Sequence, residues 1–318
     1  MLLQIVSLLV VVLLVALFAW LTWRAWSTRR AVVRWPGTIL AGLVTVLLLV
    51  VVVVGTLGLV KLRRTHAIAL HDATVQASDA QLARGQHLAN LCTSCHSIND
   101  SLPLNGGDEN MASPFGTLYP PNLTPAGPLA GWSDAEVVRA IREGVGKDGR
   151  ALLIMPSDQF HHMSDDDVRA LVAYLRAQPA TAHQTPATRF NLLGLLLVGS
   201  GLFPSSAQPA ITQPVPPAPD GVNPEHGHYL VEISGCQACH GENLTGGTNQ
   251  FTPKGPNIRA IVPTWTQEQF VRTIRGGADP AGNQLDPDEM PWKSFSAAYS
   301  DEELQAIYAY LKSLPAAK

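Results

Sequence analysis

Charge is scarce in this 318-residue chain. Lys, Arg, Asp and Glu together supply 15% of it, low for a protein that is wetted all over. The net charge of -3 leaves no basic excess of the kind a nucleic-acid partner requires. Cysteine is scarcer still. Cys92, Cys95, Cys236 and Cys239 are the only four, and all lie in two short motifs, so none is left for a separate disulfide framework. A Gly-rich dinucleotide loop is missing, as is a Ser/His/Asp set, so the chain shows no catalytic motif of those kinds.

The charge deficit is concentrated at the N-terminus. No ionisable side chain precedes Arg24, and Thr38 to Val60 has none either. Leu2 to Trp23 and Thr38 to Val60 each approach the ~20 residues that cross a bilayer. Lipid offers no partner to an unpaired backbone, so such segments must be helical, even the valine run Val50 to Val54. A cleaved signal peptide would show a basic start, a shorter apolar stretch and a small-residue cleavage site, and none is evident. Residues 1–64 are therefore expected to form a retained transmembrane hairpin. Its connector carries Arg24, Arg29, Arg30 and Arg34 beside Trp20, Trp23, Trp26 and Trp35, the pattern of a cytoplasmic turn with an interfacial aromatic belt. Everything after Val60 then lies on the periplasmic side of a bacterial inner membrane. Lys61, Arg63 and Arg64 count against that orientation, and the motifs described next count for it.

Cys92-Thr93-Ser94-Cys95-His96 recurs as Cys236-Gln237-Ala238-Cys239-His240. Cys-x-x-Cys-His reads as a covalent haem c attachment site: two thiols reach the two vinyl groups of one porphyrin, and the next residue offers imidazole to the iron. A redox dithiol or half of a Cys₄ zinc site would use the same pair of cysteines. Neither explains the following His, nor the longer repeat around each motif. Two covalently bound haem c groups are expected.

The repeat is extensive. Gly85-Gln86-His87-Leu88 matches Gly227-His228-Tyr229-Leu230 ahead of the motifs, and Pro121-Asn122-Leu123 matches Pro256-Asn257-Ile258 after them. Trp132 to Leu152 aligns without a gap on Trp265 to Leu285, Met155-Pro156 on Met290-Pro291, and Ser164 to Pro179 on Ser300 to Pro315. Two copies of one domain follow, at 82–179 and 225–318, with a linker at 65–81 and a Pro-rich connector at 180–224. Each copy reads as mainly α. Ser133/Glu136, Thr266/Gln269, Ser164/Asp167 and Ser300/Glu303 have capping-box spacing, and the segments they open carry apolar residues at helical spacing. A buried porphyrin would serve as much of the core of such small, loop-rich units. Within the connector, the apolar run Leu192 to Phe203 is too short to span a bilayer. It is expected to pack between the domains or to lie on the membrane surface.

His96 and His240 are the expected proximal iron ligands, and Met155 and Met290 the sixth ligands, because each Met precedes Pro at the same place in its repeat. A thioether is a soft donor that raises an iron's potential. His161, His162 and Met163 compete for the first site, but their counterparts Ser296, Ala297 and Ala298 cannot ligate. His87 and His228 read as packing or surface. A carbonyl of Pro121 or Pro256 is expected to hold the far nitrogen of each imidazole. Tight turns at Gly144 and Gly277 are expected to pass near the porphyrins, and Trp132, Trp265 and Trp292 to pack on them or in the ordinary core.

Both repeats resemble class I cytochrome c. The run Pro114 to Thr124, with Asp148-Gly149-Arg150, Met155-Pro156 and Asp167 to Leu175, is similar to the multihaem cytochrome c subunits of membrane-bound bacterial dehydrogenases of the alcohol, aldehyde and gluconate type. The resemblance covers Leu82 to Leu314 and implies Met155 and Met290 as axial ligands. It also implies a subunit that takes electrons from a catalytic partner and passes them to quinone or a terminal oxidase. Those subunits usually carry three haem motifs and no two-span hairpin. The leading expectation is a membrane-anchored dihaem electron carrier, not itself an enzyme, between a dehydrogenase or quinol-oxidising partner and the respiratory chain. The alternatives are a peroxidase-like dihaem enzyme with one open iron and the dihaem subunit of a cbb3-type oxidase.

Overall fold

The computed structural model describes residues 2–70, 75, 77–203, 205–247 and 254–315. Residues 71–74 and 76 of the expected linker, and 316–318 at the end of the expected second copy, lie outside these. Two long helices come first, α1 (Leu2–Trp26) and α2 (Ala31–Arg63). The first repeat contains α3 (Asp79–Ala89), α4 (Thr93–His96), α5 (Asp134–Glu143), α6 (Ser157–Phe160) and α7 (Asp165–Ala177). A short helix α8 (Leu192–Ser200) follows. The second repeat contains α9 (Pro224–Ser234), α10 (Cys236–His240), α11 (Ile258–Ile261), α12 (Gln267–Gly276), α13 (Trp292–Ala298) and α14 (Asp301–Ser313). Among the described residues, strand pairing beyond isolated bridges is limited to β1 (Gly116–Thr117) antiparallel to β2 (Arg189–Phe190). The fold is mainly α.

Local sequence explains the helix ends. Complete capping boxes open α5 at Ser133/Glu136, α12 at Thr266/Gln269 and α14 at Ser300/Glu303. At α7 only half the box forms. Ser164 accepts from the Asp167 backbone, while the shorter Asp167 carboxylate turns to Arg84 and Tyr229 instead. A further box at Ser78/Gln81 starts α3 at Asp79, three residues ahead of the expected unit boundary. Both α5 and α12 end on glycines in the left-handed region, Gly144 at φ 63° and Gly277 at φ 66°.

The chain forms two compact units. One comprises Met1–Thr65, Glu109–Tyr119 and Pro186–Ser205. In it α1 and α2 pair as a hairpin whose flanks stay apolar and exposed, as at Leu13 and Leu43. Helix α8 lies on α2 with the two backbones nearly touching: a Cβ on Gly58 would sit 2.1 Å from the Leu195 carbonyl oxygen, and one on Gly199 2.0 Å from that of Val54. The run Leu192 to Phe203 therefore belongs with the apolar helices and not between the repeats.

The other unit comprises His66–Asp108, Pro120–Thr185 and Ser206–Lys318 and holds both repeats. In each, the first and last long helices cross at a glycine. A Cβ on Gly85 would stand 1.9 Å from the Ala170 oxygen of α7, and one on Gly227 1.9 Å from the Ala306 oxygen of α14. Leu88, Leu171, Val172 and Leu175 fill the core on one side, and Leu230, Val231, Leu304 and Leu311 on the other, in a single contiguous cluster. The repeats meet directly. Thr93 Oγ1 lies 3.1 Å from Ser294 Oγ, and Arg84 of the first repeat reaches Glu303 of the second.

Candidate functional site

Each Cys-x-x-Cys-His motif folds as a single helical turn, Thr93–His96 capped by Cys92 in one repeat and Cys236–His240 in the other. Helical i, i+3 spacing sets the two sulfurs of a pair on one face, with the imidazole following directly. No disulfide joins the four cysteines. Burial pushes the Cys92 and Cys236 thiols up to about 12, and it raises Cys239 as well. Among the described residues no three His, Cys, Asp or Glu side chains converge as a metal cluster, so the two pairs do not form one four-thiolate site.

Both imidazoles are buried and oriented alike. His96 Nδ1 lies 2.9 Å from the Pro121 carbonyl oxygen and His240 Nδ1 2.8 Å from that of Pro256, the acceptors expected from the sequence. A carbonyl only accepts, so Nδ1 carries the proton and Nε2 keeps its lone pair for a metal. Burial holds both imidazoles below the usual histidine range, partly offset by these hydrogen bonds, and so favours the neutral, ligating form.

Met155 and Met290 occupy the same turn of their repeats. The Met155 carbonyl accepts from the Ser157 backbone at 2.8 Å and that of Met290 from Trp292 at 2.6 Å, with Pro156 and Pro291 capping α6 and α13. Both methionines pack, partly buried, against the core. The competing side chains have other surroundings. Met163 is fully buried in the core, His161 Nδ1 bonds the Arg142 carbonyl at 3.0 Å, and His162 is exposed. His87 and His228 are also exposed, the latter against the Tyr310 ring.

The glycine turns serve neighbours within the protein. A Cβ on Gly144 would meet the Ser206 oxygen at 2.0 Å, and one on Gly277 the Trp292 ring at 2.3 Å. Trp132 and Trp265 pack against the core, and Trp292 Nε1 donates to the Leu285 oxygen at 3.2 Å. Asn122, beside the Pro121 acceptor, is buried and donates to the carbonyls of Thr181 and His183 at 2.8 Å.

Sequence reading missed what joins the repeats. Arg84 donates from Nε and Nη2 to the two oxygens of Asp167 at 2.8 and 2.9 Å, and from Nη1 to Glu303. Tyr229 of the second repeat donates to Asp167 at 2.6 Å. The alignment of Asp167 with Glu303 was the available signal, though nothing in it points to Arg84.

This donor set fits an iron porphyrin held by thioethers. Each repeat offers two thiols on one helical face, a neutral imidazole with its far nitrogen committed, and a thioether at a matching turn. Comparison with known proteins agrees. The cytochrome c family model matches residues 82–179 and 225–315. The cytochrome c subunit of gluconate 2-dehydrogenase from Pantoea cypripedii is 30% identical over 279 residues, 76% of this chain and 61% of its own length. The cytochrome c subunit of alcohol dehydrogenase (quinone) from Gluconobacter oxydans is 27% identical over 268 residues, 76% of this chain and 56% of its own length. A diheme cytochrome c-type protein of Cereibacter sphaeroides is 27% identical over 266 residues, 74% and 86% of the two chains. The chain thus spans little more than half the length of the two dehydrogenase subunits and most of the diheme protein.

Proposed function

The chain belongs to the cytochrome c family, and on that premise we propose that it is a membrane-anchored dihaem cytochrome. It carries electrons between a dehydrogenase or quinol-oxidising partner and the respiratory chain. The observation that carries this reading is the duplication of one complete donor set, down to the Pro121 and Pro256 carbonyls on the two imidazoles.

Haem c supplies one-electron exchange between ferric and ferrous iron. Cys92 and Cys95 would hold one group, Cys236 and Cys239 the other. His96 with Met155, and His240 with Met290, would supply the protein's donors to the two irons. The Pro121 and Pro256 carbonyls fix each imidazole's tautomer and make it a better donor. The thioethers favour the ferrous state and raise the potential. With two donors from the protein for each iron, no position would be left for a substrate, which favours a carrier over a peroxidase-like enzyme.

Helices α1 and α2 are long and apolar enough to cross a membrane. In this reading their Arg-rich connector is cytoplasmic and both repeats are periplasmic. The similarity to cytochrome c subunits of alcohol dehydrogenase (quinone) and gluconate 2-dehydrogenase supports a dehydrogenase partner. Purification from native membranes in mild detergent tests the proposal. Two haems per polypeptide by pyridine haemochrome, with a dehydrogenase or quinol-oxidising complex co-purifying, is the expected result. One haem per chain, or rapid binding of CO by the reduced protein, overturns it.

A further inference from the structure

Helix α8 has no polar face. Leu192 to Val198 is apolar all round apart from glycine, and no ionisable residue occurs between Arg189 and Asp220. A helix that is apolar on every side is stable inside a protein core or inside a bilayer. The protein covers only one side of α8. Leu195 and Val198 are buried against α2, while Leu193 is 49% exposed and Leu202, just past the helix, 53%.

Its place on α2 is at one end of the charge-free stretch. Gly58 and Val54 meet Leu195 and Gly199, and a Cβ on Gly55 would lie between Leu8 of α1 and Leu192 and Leu196 of α8. Small residues that bring helix backbones together are the usual means of association within lipid. Lipid also demands that helix ends be satisfied from within the protein. At the start of α8, Asn191 accepts from the Gly194 backbone at 3.0 Å and donates to the Pro114 oxygen at 2.9 Å. At its end, Lys61 donates to the Gly199 oxygen at 2.8 Å and the Val198 oxygen at 3.3 Å. Gln4, near the start of α1, donates to the Phe190 oxygen at 3.0 Å. Gln4 and Lys61, at this end of the hairpin, are thus spent on the segment carrying α8.

We propose that α8 is a third membrane element, a short helix set into the acyl-chain layer beside the outer ends of α1 and α2. Lipid acyl chains cover its remaining face. The inference rests on the reading of α1 and α2 as spanning helices. It also accounts for Lys61, whose charge satisfies the carbonyl end of α8, where a cation is favoured, and so counts less against a periplasmic location. Because the first repeat lies in sequence between α2 and α8, its chain is tethered to the bilayer at both ends.

Spin labels on the full-length holoprotein in liposomes of phosphatidylethanolamine and phosphatidylglycerol test this. Labels go at Leu193→Cys and Leu202→Cys, with Leu47→Cys in α2 as the lipid reference and Val222→Cys as the water reference; all four side chains are exposed on the protein. Leu193 and Leu202 should follow Leu47: relaxed by oxygen and at least several-fold less sensitive than Val222 to a water-soluble nickel chelate. If both follow Val222 while Leu47 stays shielded, the hairpin spans but α8 is not in lipid, and the inference fails alone. If Leu47 is also relaxed by the nickel chelate, the membrane reading fails and takes the inference with it.

Discussion

Asp167 and Glu303 occupy the same position in the two repeats, and one arginine, Arg84, binds both. The acids sit in the first turns of α7 and α14, and their difference of one methylene separates their roles. Glu303 reaches back to the Ser300 backbone at 2.8 Å and completes a capping box while also meeting Arg84. Asp167 is too short for that and pairs with Arg84 through both oxygens, with Tyr229 as a third donor. The two halves are held together at this point.

Replacing Arg84 with Ala strands two carboxylates. Removing one partner of a fully buried pair costs roughly 3–5 kcal/mol, and exposed pairs contribute ~1 or less. The Arg84 side chain is 26% exposed, so a loss of about 2 kcal/mol is expected. Urea denaturation of the holoprotein should show it as a lower midpoint. A midpoint unchanged from wild type would mean that the contact contributes nothing to stability.

The same site makes stability depend on acid. Burial alone would raise the Asp167 pKa, but the Arg84 hydrogen bond and charge, with the Tyr229 hydroxyl, hold it below the usual range. An unfolded Asp titrates near ~3.9, so the unfolded chain takes up the proton first. The carboxylate's contribution is therefore complete above about pH 4 and is lost as pH falls through the lower folded value. Denaturation midpoints of the Asp167→Asn variant should be lower than wild type at pH 7, and the gap should narrow as pH falls below about 4. Parallel pH curves for the two proteins would show that this carboxylate is not responsible.

Met290→His tests the axial assignment. Exchanging thioether for imidazole lowers an iron's potential, so one of two waves in a redox titration should move negative and the other stay in place. Met155→His should move the other wave. A titration unchanged by Met290→His would remove that residue from the ligand set.

Gly227→Ala probes the helix crossing in the second repeat. The added methyl would stand 1.9 Å from the Ala306 oxygen, and overpacking of this kind costs ~1–3 kcal/mol. Thermal unfolding should begin earlier than in wild type, and Gly85→Ala should act alike in the first repeat. Retention of full stability would mean that α9 and α14 separate without cost.

Much of the molecule was written in contiguous residues. Cys92 to His96 and Cys236 to His240 carry their chemistry in five residues each. Ser133/Glu136, Thr266/Gln269 and Ser300/Glu303 mark helix starts because a cap needs only its own first turn. The apolar helices α1 and α2 follow from composition alone, and the Pro121 and Pro256 acceptors from the repeat. Other features depend on residues far apart in sequence. Arg84 and Glu303 are separated by 219 positions, and no local preference of either names the other. Thr93 against Ser294, Tyr229 on Asp167, and Lys61 at the carbonyl end of α8 are of the same kind. The half-formed capping box at Ser164 has a local cause, the short Asp167 side chain, but the partners its carboxylate takes instead were decided at a distance. Helix ends and attachment motifs are set by short-range hydrogen bonding and spacing. Which helices face one another is set by shape and charge complementarity that exists only once the chain has closed on itself.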